Sequence, residues 1–285
     1  MDNKINLNDL EKKLNKMNAK KKYKKYFLIF MLFVFVGCII YFGIDIIKNL
    51  NDKQEIIKEE KEIFEVVEII EIEEEIGEVV NPPEEKTGIY WEFINYNMID
   101  VDINVLKQKN NDTIGWLYVN GTNINYPVVQ SSDNDFYLNH QFDKSSNSAG
   151  WVFMDYRNSK ITDENKNTII YGHGLKNRTI FGSLKNTLNS EWYNNQENLV
   201  VKTVDESNSY LWQVFSIYTV VTNNDYIKTD FSSDEDYIQF LELIKGRSIK
   251  DFGVGLTKDD KVLTLSTCYT EDKKLVLHAK MIKKS

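Results

Sequence analysis

The chain contains two cysteines and three histidines, and one of those cysteines, Cys38, lies inside an apolar N-terminal run. A nucleophile and a base therefore have to be sought among Cys268, His140, His173 and His278. Cys268 ends the strand-like run Val262-Leu263-Thr264-Leu265-Ser266-Thr267-Cys268, a place from which a sheet presents a side chain into a cleft. His173 follows Ile169-Ile170-Tyr171-Gly172 and precedes Gly174, so glycines leave the imidazole uncrowded and let other backbone come close. A thiol is a nucleophile as the thiolate, which a neighbouring histidine or cation stabilises, so this pair is a candidate nucleophile and base. Each residue alone also has an ordinary reading. Cys268 can fill a core, His140 reads as a loop or packing residue, and His278, in Leu275-Val276-Leu277-His278-Ala279, reads as structural. The histidines are far apart, with neither H-x-x-x-H nor C-x-x-C spacing, so the sequence indicates no metal and no cofactor.

The elements that must position these groups are mostly strands. In a chain of 285 residues, 42% hydrophobic and 27% charged residues exclude bulk disorder, and two cysteines exclude a disulfide framework. A formal net charge of -8 argues against nucleic acid as a partner. Short β-type runs at 114–119, 123–129, 150–154, 167–171, 199–204, 210–222, 261–266 and 274–283 predict a closed barrel or a sandwich. An amphipathic stretch at 104–111 precedes them. One helix interrupts them, capped at Ser233 and placing Tyr237, Phe240, Leu241 and Ile244 on one face.

Upstream the residues change character. Residues 1–25 are rich in lysine and residues 26–44 form an uncharged run (YFLIFMLFVFVGCIIYFGI). As a helix that run spans roughly 28 Å, about one hydrocarbon core. Lysines before it and Asp45, Asp52 and Glu55 after it predict a single-pass anchor with the N-terminus cytoplasmic and the bulk of the chain outside. The run continues past Cys38, unlike a lipoprotein signal, and no small-residue cleavage site follows it. Residues 45–88 read as an acidic extracellular stalk, closed by breakers from Asn81-Pro82-Pro83 to Gly88, and residues 89–285 as the catalytic domain.

Read together, the segments resemble the sortases, membrane-anchored cysteine transpeptidases of Gram-positive surfaces. Thr264-Leu265-Ser266-Thr267-Cys268 is similar to their TLxTC motif, and Tyr171-Gly172-His173 with Phe181-Gly182-Ser183-Leu184 to their histidine segment. Phe153-Met154-Asp155-Tyr156-Arg157-Asn158 resembles a stretch of the class B branch, and Gly115-Trp116-Leu117 with Tyr126-Pro127-Val128 fits the first strands. The resemblance implies an eight-stranded β-barrel with N-terminal helices and a helix in the insertion before the cysteine strand. It implies that Cys268 cleaves a C-terminal sorting signal at Thr–Gly or Thr–Asn as a thioacyl intermediate, and that His173 is the general acid and base. The partners it implies are secreted proteins bearing such a signal and an acceptor amine of the peptidoglycan cross-bridge or of a pilin.

One position departs from the family. Where an arginine supports the oxyanion, this chain has Lys274, which keeps the charge but loses the planar fork. The expectation is that Lys274 acts there together with the backbone N–H of Tyr269. Arg178, in the loop after His173, is a remote substitute. By the same resemblance Asn134, Leu138, Thr222, Tyr226, Ile227 and Ser266 line the signal groove, with Leu138 and Ile227 apolar and Asn134 and Thr222 hydrogen-bonding. Two alternatives stand beside this reading: a catalytically impaired sortase-like surface binding module lacking the arginine, and a cysteine peptidase or amidase using the same pair.

Overall fold

The computed structural model describes residues 7–72, 77–83, 89–221, 224–270 and 272–285. Its residues form two compact units, Met1–Gln54 and Glu55–Ser285. Helix α1, Leu7–Phe64, begins in the first and ends in the second. Within the first unit its apolar side chains, Phe27, Phe30, Phe33 and Phe35 among them, are exposed on all sides. A helix that is apolar all round and unburied by protein is suited to lipid, and this one is long and apolar enough to cross a membrane.

The second unit is built on the barrel. Strands β1 (Ile69–Ile72), β2 (Glu78–Val79) and β3 (Met98–Val101) precede it. Its staves are β4 (Thr113–Val119), β5 (Asn125–Val129), β6 (Phe153–Met154), β7 (Asn167–Tyr171), β8 (Val200–Asp205), β9 (Ser209–Val221), β10 (Val262–Cys268) and β11 (Lys273–Lys284). They run in the order β10-β7-β6-β5-β4-β8-β9-β11, and β10 pairs with β11 to close an eight-stranded barrel. The eight correspond one to one with the β-type runs of the sequence. The staves are buried along most of their length, and Trp116, Trp212, Phe215, Leu265 and Leu277 on them, with Trp151 just before β6, are each 0–1% exposed.

Helices flank the barrel. Short α2 (Ile89–Phe93) and α3 (Ile103–Lys109) lead into it, with the Asp102 side chain accepting from Asn104 N at the start of α3. Helix α4 is Ser190–Tyr193. Helix α5, Asp234–Gly246, lies in the insertion between β9 and β10 and starts as the sequence reads, with Ser233 Oγ accepting from Asp236 N. Tyr237, Phe240, Leu241 and Ile244 are its buried face.

The stretch read as a stalk differs from that expectation. The barrel unit begins at Glu55 rather than near residue 89. Ile56 and Ile63, seven residues apart on one face of α1, are buried, and such burial contributes about 1.5–3 kcal/mol per side chain. Lys58–Glu62 and Lys61–Glu65 pairs at 3.5 and 3.8 Å line the exposed side. Further on, β1 pairs antiparallel with β3, and β2 adds to the edge of β11. Glutamates alternating with Ile and Val conceal this, because half of their side chains face solvent in either a helix or a strand. Of the breakers expected to close the stalk, residues 84–88 lie outside the described residues.

Candidate active site

The seam of the barrel brings candidate residues together. Strand β10 pairs in parallel with β7 and antiparallel with β11, and its last residue, Cys268, stands opposite Lys274. Lys274 Nζ donates to Cys268 Sγ across 3.0 Å. The thiol is exposed, at the end of a strand whose preceding six residues are buried, so a rigid stave holds a solvent-facing sulfur.

His173 reaches the same place through the other neighbour. The parallel register ends with Ser266 beside Tyr171, two residues before Cys268 and His173 respectively. A Cβ added at Gly174 would stand 2.1 Å from the Cys268 carbonyl oxygen, so only glycine lets the histidine loop lie this close to the cysteine strand. His173 Nε2 lies 2.9 Å from the Leu138 carbonyl oxygen. A carbonyl only accepts, so Nε2 is the protonated nitrogen and the ring orientation is set. The other two histidines are elsewhere. His140 stacks on Phe136 at 4.0 Å and contacts its carbonyl through Nδ1. His278 is sealed in the core between Tyr218 and Thr264.

The groove residues divide. Tyr226 and Ser266 are buried and share a hydrogen bond of 2.9 Å. Burial pushes the Tyr226 phenol above its ordinary range, opposed by Ser266 and by the charge of Lys274. Leu138 and Ile227 are half-buried and pack against the core. The Asn134 amide is engaged inside the protein, donating to Asp155 Oδ2 at 3.1 Å and accepting from Tyr156 N at 3.0 Å, so it braces a loop. Thr222 lies outside the described residues.

Two oxyanion expectations change. The Tyr269 N–H donates to Lys273 O at 2.8 Å and closes the β10–β11 hairpin, so it is not an oxyanion donor in this arrangement. Arg178 donates to Asn186 and is not a substitute for the missing guanidinium. Lys274 remains as the cation at the sulfur.

The structure also assembles a set that the sequence quoted only as a motif. Arg157 grips Asp155 with two hydrogen bonds, of 2.8 and 2.7 Å, and its Nη2 also donates to the Ile227 carbonyl. Tyr171 donates to the same carboxylate. Burial alone would raise the Asp155 carboxyl, but Arg157 and Tyr171 hold it below the usual carboxylate range. The network ties β7 and the loop after β6 to the start of the insertion. Thr267, beside Cys268, has a buried hydroxyl without a hydrogen-bond partner, close to where a Gly174 side chain would stand. Among the described residues no cluster of His, Cys, Asp and Glu is arranged to hold a metal.

Comparison with known proteins agrees with this architecture. Residues 117–282 match the family described as Sortase domain. Sortase B of Staphylococcus aureus is 39% identical over 184 residues, covering 63% of this chain and 74% of that protein. Sortase B of Listeria monocytogenes is 35% identical over 189 residues, covering 63% and 73%. The solved Staphylococcus aureus sortase B–substrate complex superposes with a TM-score of 0.59 at 38% identity, covering 64% of this chain and 84% of that one. A closed eight-stranded barrel with a cysteine at the end of its seam strand, a histidine loop packed against that strand, and this extent of identity place the chain in the sortase family, whose members are cysteine transpeptidases. Its relatives are class B enzymes.

Proposed function

We propose that this sortase cleaves a C-terminal sorting signal after threonine, at Thr–Gly or Thr–Asn, and transfers the new carbonyl to an amine of the cell wall or of a pilin. The observation that carries this reading is the Lys274 ammonium 3.0 Å from an exposed Cys268 sulfur, with the histidine loop packed against the cysteine strand at Gly174.

In this reading the Cys268 thiol gives its proton to His173 Nδ1, the thiolate attacks the threonine carbonyl, and the oxyanion that forms faces Lys274. The C–N bond breaks as the departing amine takes a proton from His173, leaving a thioester on Cys268. An acceptor amine then gives its proton to His173, attacks the thioester and expels the thiolate. With Nε2 held by Leu138, Nδ1 is the nitrogen that exchanges the proton. Tyr226, Ile227, Leu138 and Ser266 form the groove wall, and Asn134 acts on it indirectly by bracing Asp155. The long apolar helix anchors the enzyme in the membrane, with the barrel on the outer face where sorting signals and acceptor amines are found.

Intact-mass measurement with a panel of peptides ending in Thr–Gly or Thr–Asn tests this. The expected result is a covalent adduct of the peptide's N-terminal part on the wild-type chain, none on Cys268→Ala, and release by an added amine. A peptide that binds without forming an adduct makes the protein a binding module. An adduct formed only from peptidoglycan stem peptides makes it an amidase.

A further inference from the structure

The loop after His173 is strained. Ile180 has φ of 52° and Arg178 φ of 68°, and a β-branched residue in the left-handed region holds that conformation only where its surroundings enforce it. Ile180 is fully buried and its backbone forms an isolated bridge with Gly174. Its N–H donates to the hydroxyl oxygen of Tyr126 at 3.1 Å. That phenol in turn donates to Glu60 Oε1, on the last turns of α1, at 2.7 Å. The orientation is forced: an amide can only donate, so the tyrosine oxygen accepts from Ile180 and its proton points to Glu60. At the far end, Leu175 N and Phe181 N both donate to the His173 carbonyl at 3.0 Å, fixing the backbone that carries the imidazole.

We infer that Glu60 and Tyr126 are positioning residues that set His173 by holding the strained backbone of Ile180 in place. Neither touches the reacting atoms. Glu60 orients the phenol, the phenol clamps the Ile180 amide, and the clamped loop holds the Gly174 backbone against Cys268. Without the clamp, Ile180 relaxes toward negative φ and the imidazole leaves its register with the sulfur. A displacement of about 1 Å in a proton-transfer group costs up to about a hundredfold in rate. This rests on the reading of His173 as the acid and base of the transfer.

The test uses the full chain in detergent micelles with a peptide that acylates it. Tyr126→Phe is expected to lower kcat about tenfold and Glu60→Ala about fivefold, each with KM within twofold of wild type. Glu60→Gln, whose amide oxygen still accepts from the phenol, is expected to stay within twofold. The double variant Tyr126→Phe with Glu60→Ala should be no slower than Tyr126→Phe alone. An inactive His173→Ala beside wild-type kcat in Glu60→Ala and Tyr126→Phe overturns the relay alone. An active His173→Ala overturns the acid–base reading and the relay with it. If Tyr126→Phe does not fold, the two Glu60 variants decide.

Discussion

Strands β10 and β11 carry two polar pairs that look alike on paper and differ in kind. In the middle of the strand pair Thr264 stands opposite His278, and at its end Cys268 stands opposite Lys274. His278 is fully buried and both ring nitrogens are engaged, Nε2 with Tyr218 and Nδ1 with Thr264, whose hydroxyl contacts Asn167. Burial, with a smaller contribution from Arg247, pushes His278 down to about 3, so it stays neutral. The Cys268–Lys274 pair has the same cross-strand geometry but is open to solvent. Hydrogen bonding to polar neighbours is thus no mark of a reactive group, because the inner pair has its capacity filled by the protein and the outer one is open to solvent.

Substitutions at the outer pair should break chemistry and leave the fold intact. Lys274→Ala is expected to slow single-turnover acylation about a hundredfold, close to 3 kcal/mol of barrier. Lys274→Arg should be at least as fast as wild type, since a planar fork offers two donors to the oxyanion. Full acylation by Lys274→Ala would remove this residue from the mechanism. At the inner pair the opposite holds. His278→Ala is expected to cost about 2–4 kcal/mol of stability in a denaturant titration, from the cavity and the stranded Tyr218 and Thr264 hydroxyls. The kcat of the remaining folded protein should change by less than about twofold, well below the factors expected of proton transfer.

Acidity sharpens the contrast and brings in a second buried group. Because His278 titrates lower when folded than unfolded, its contribution to stability is complete above about 6.5 and is lost as pH falls toward 3. Glu59, on α1, runs the other way. Burial first, then the charges of Asp143 and Glu62, raise it to about 7, although the Phe142 and Asp143 amides donate to it. A carboxyl raised on folding contributes most below about 4.5 and loses that contribution as pH rises through 7. Glu59→Gln should therefore differ from wild type most in melting temperature at pH 8 and least at pH 5, by a few degrees. A difference that does not vary with pH would mean that Glu59 stays ionised in the folded protein.

The barrel was legible because its staves are short runs rich in Val, Ile, Tyr and Thr, separated by turns. The α5 cap was legible for a similar reason, since Ser233 and the apolar residues that follow it suffice to state a helix start. The Cys268, His173 and Lys274 segments were legible as motifs, and their juxtaposition follows from the β10–β7 and β10–β11 registers, which local sequence does not encode. What was hidden depends on partners distant in the chain. Glu59 and Glu60 look like any solvated pair in an acidic stretch until Tyr126 and the Phe142–Asp143 amides are placed against them. The Tyr269 amide was misread because its use is decided by how tightly the hairpin turns at Lys273.

Closure of the barrel on β10 ties reactivity to the completion of folding. The stave that bears the sulfur is also the one on which the wall shuts, flanked by β7, which comes much earlier in the chain, and by β11, which comes directly after it. A chain whose seam is still open has neither Lys274 nor the Gly174 backbone beside Cys268, so on the proposed mechanism the site is assembled only when the last stave is laid.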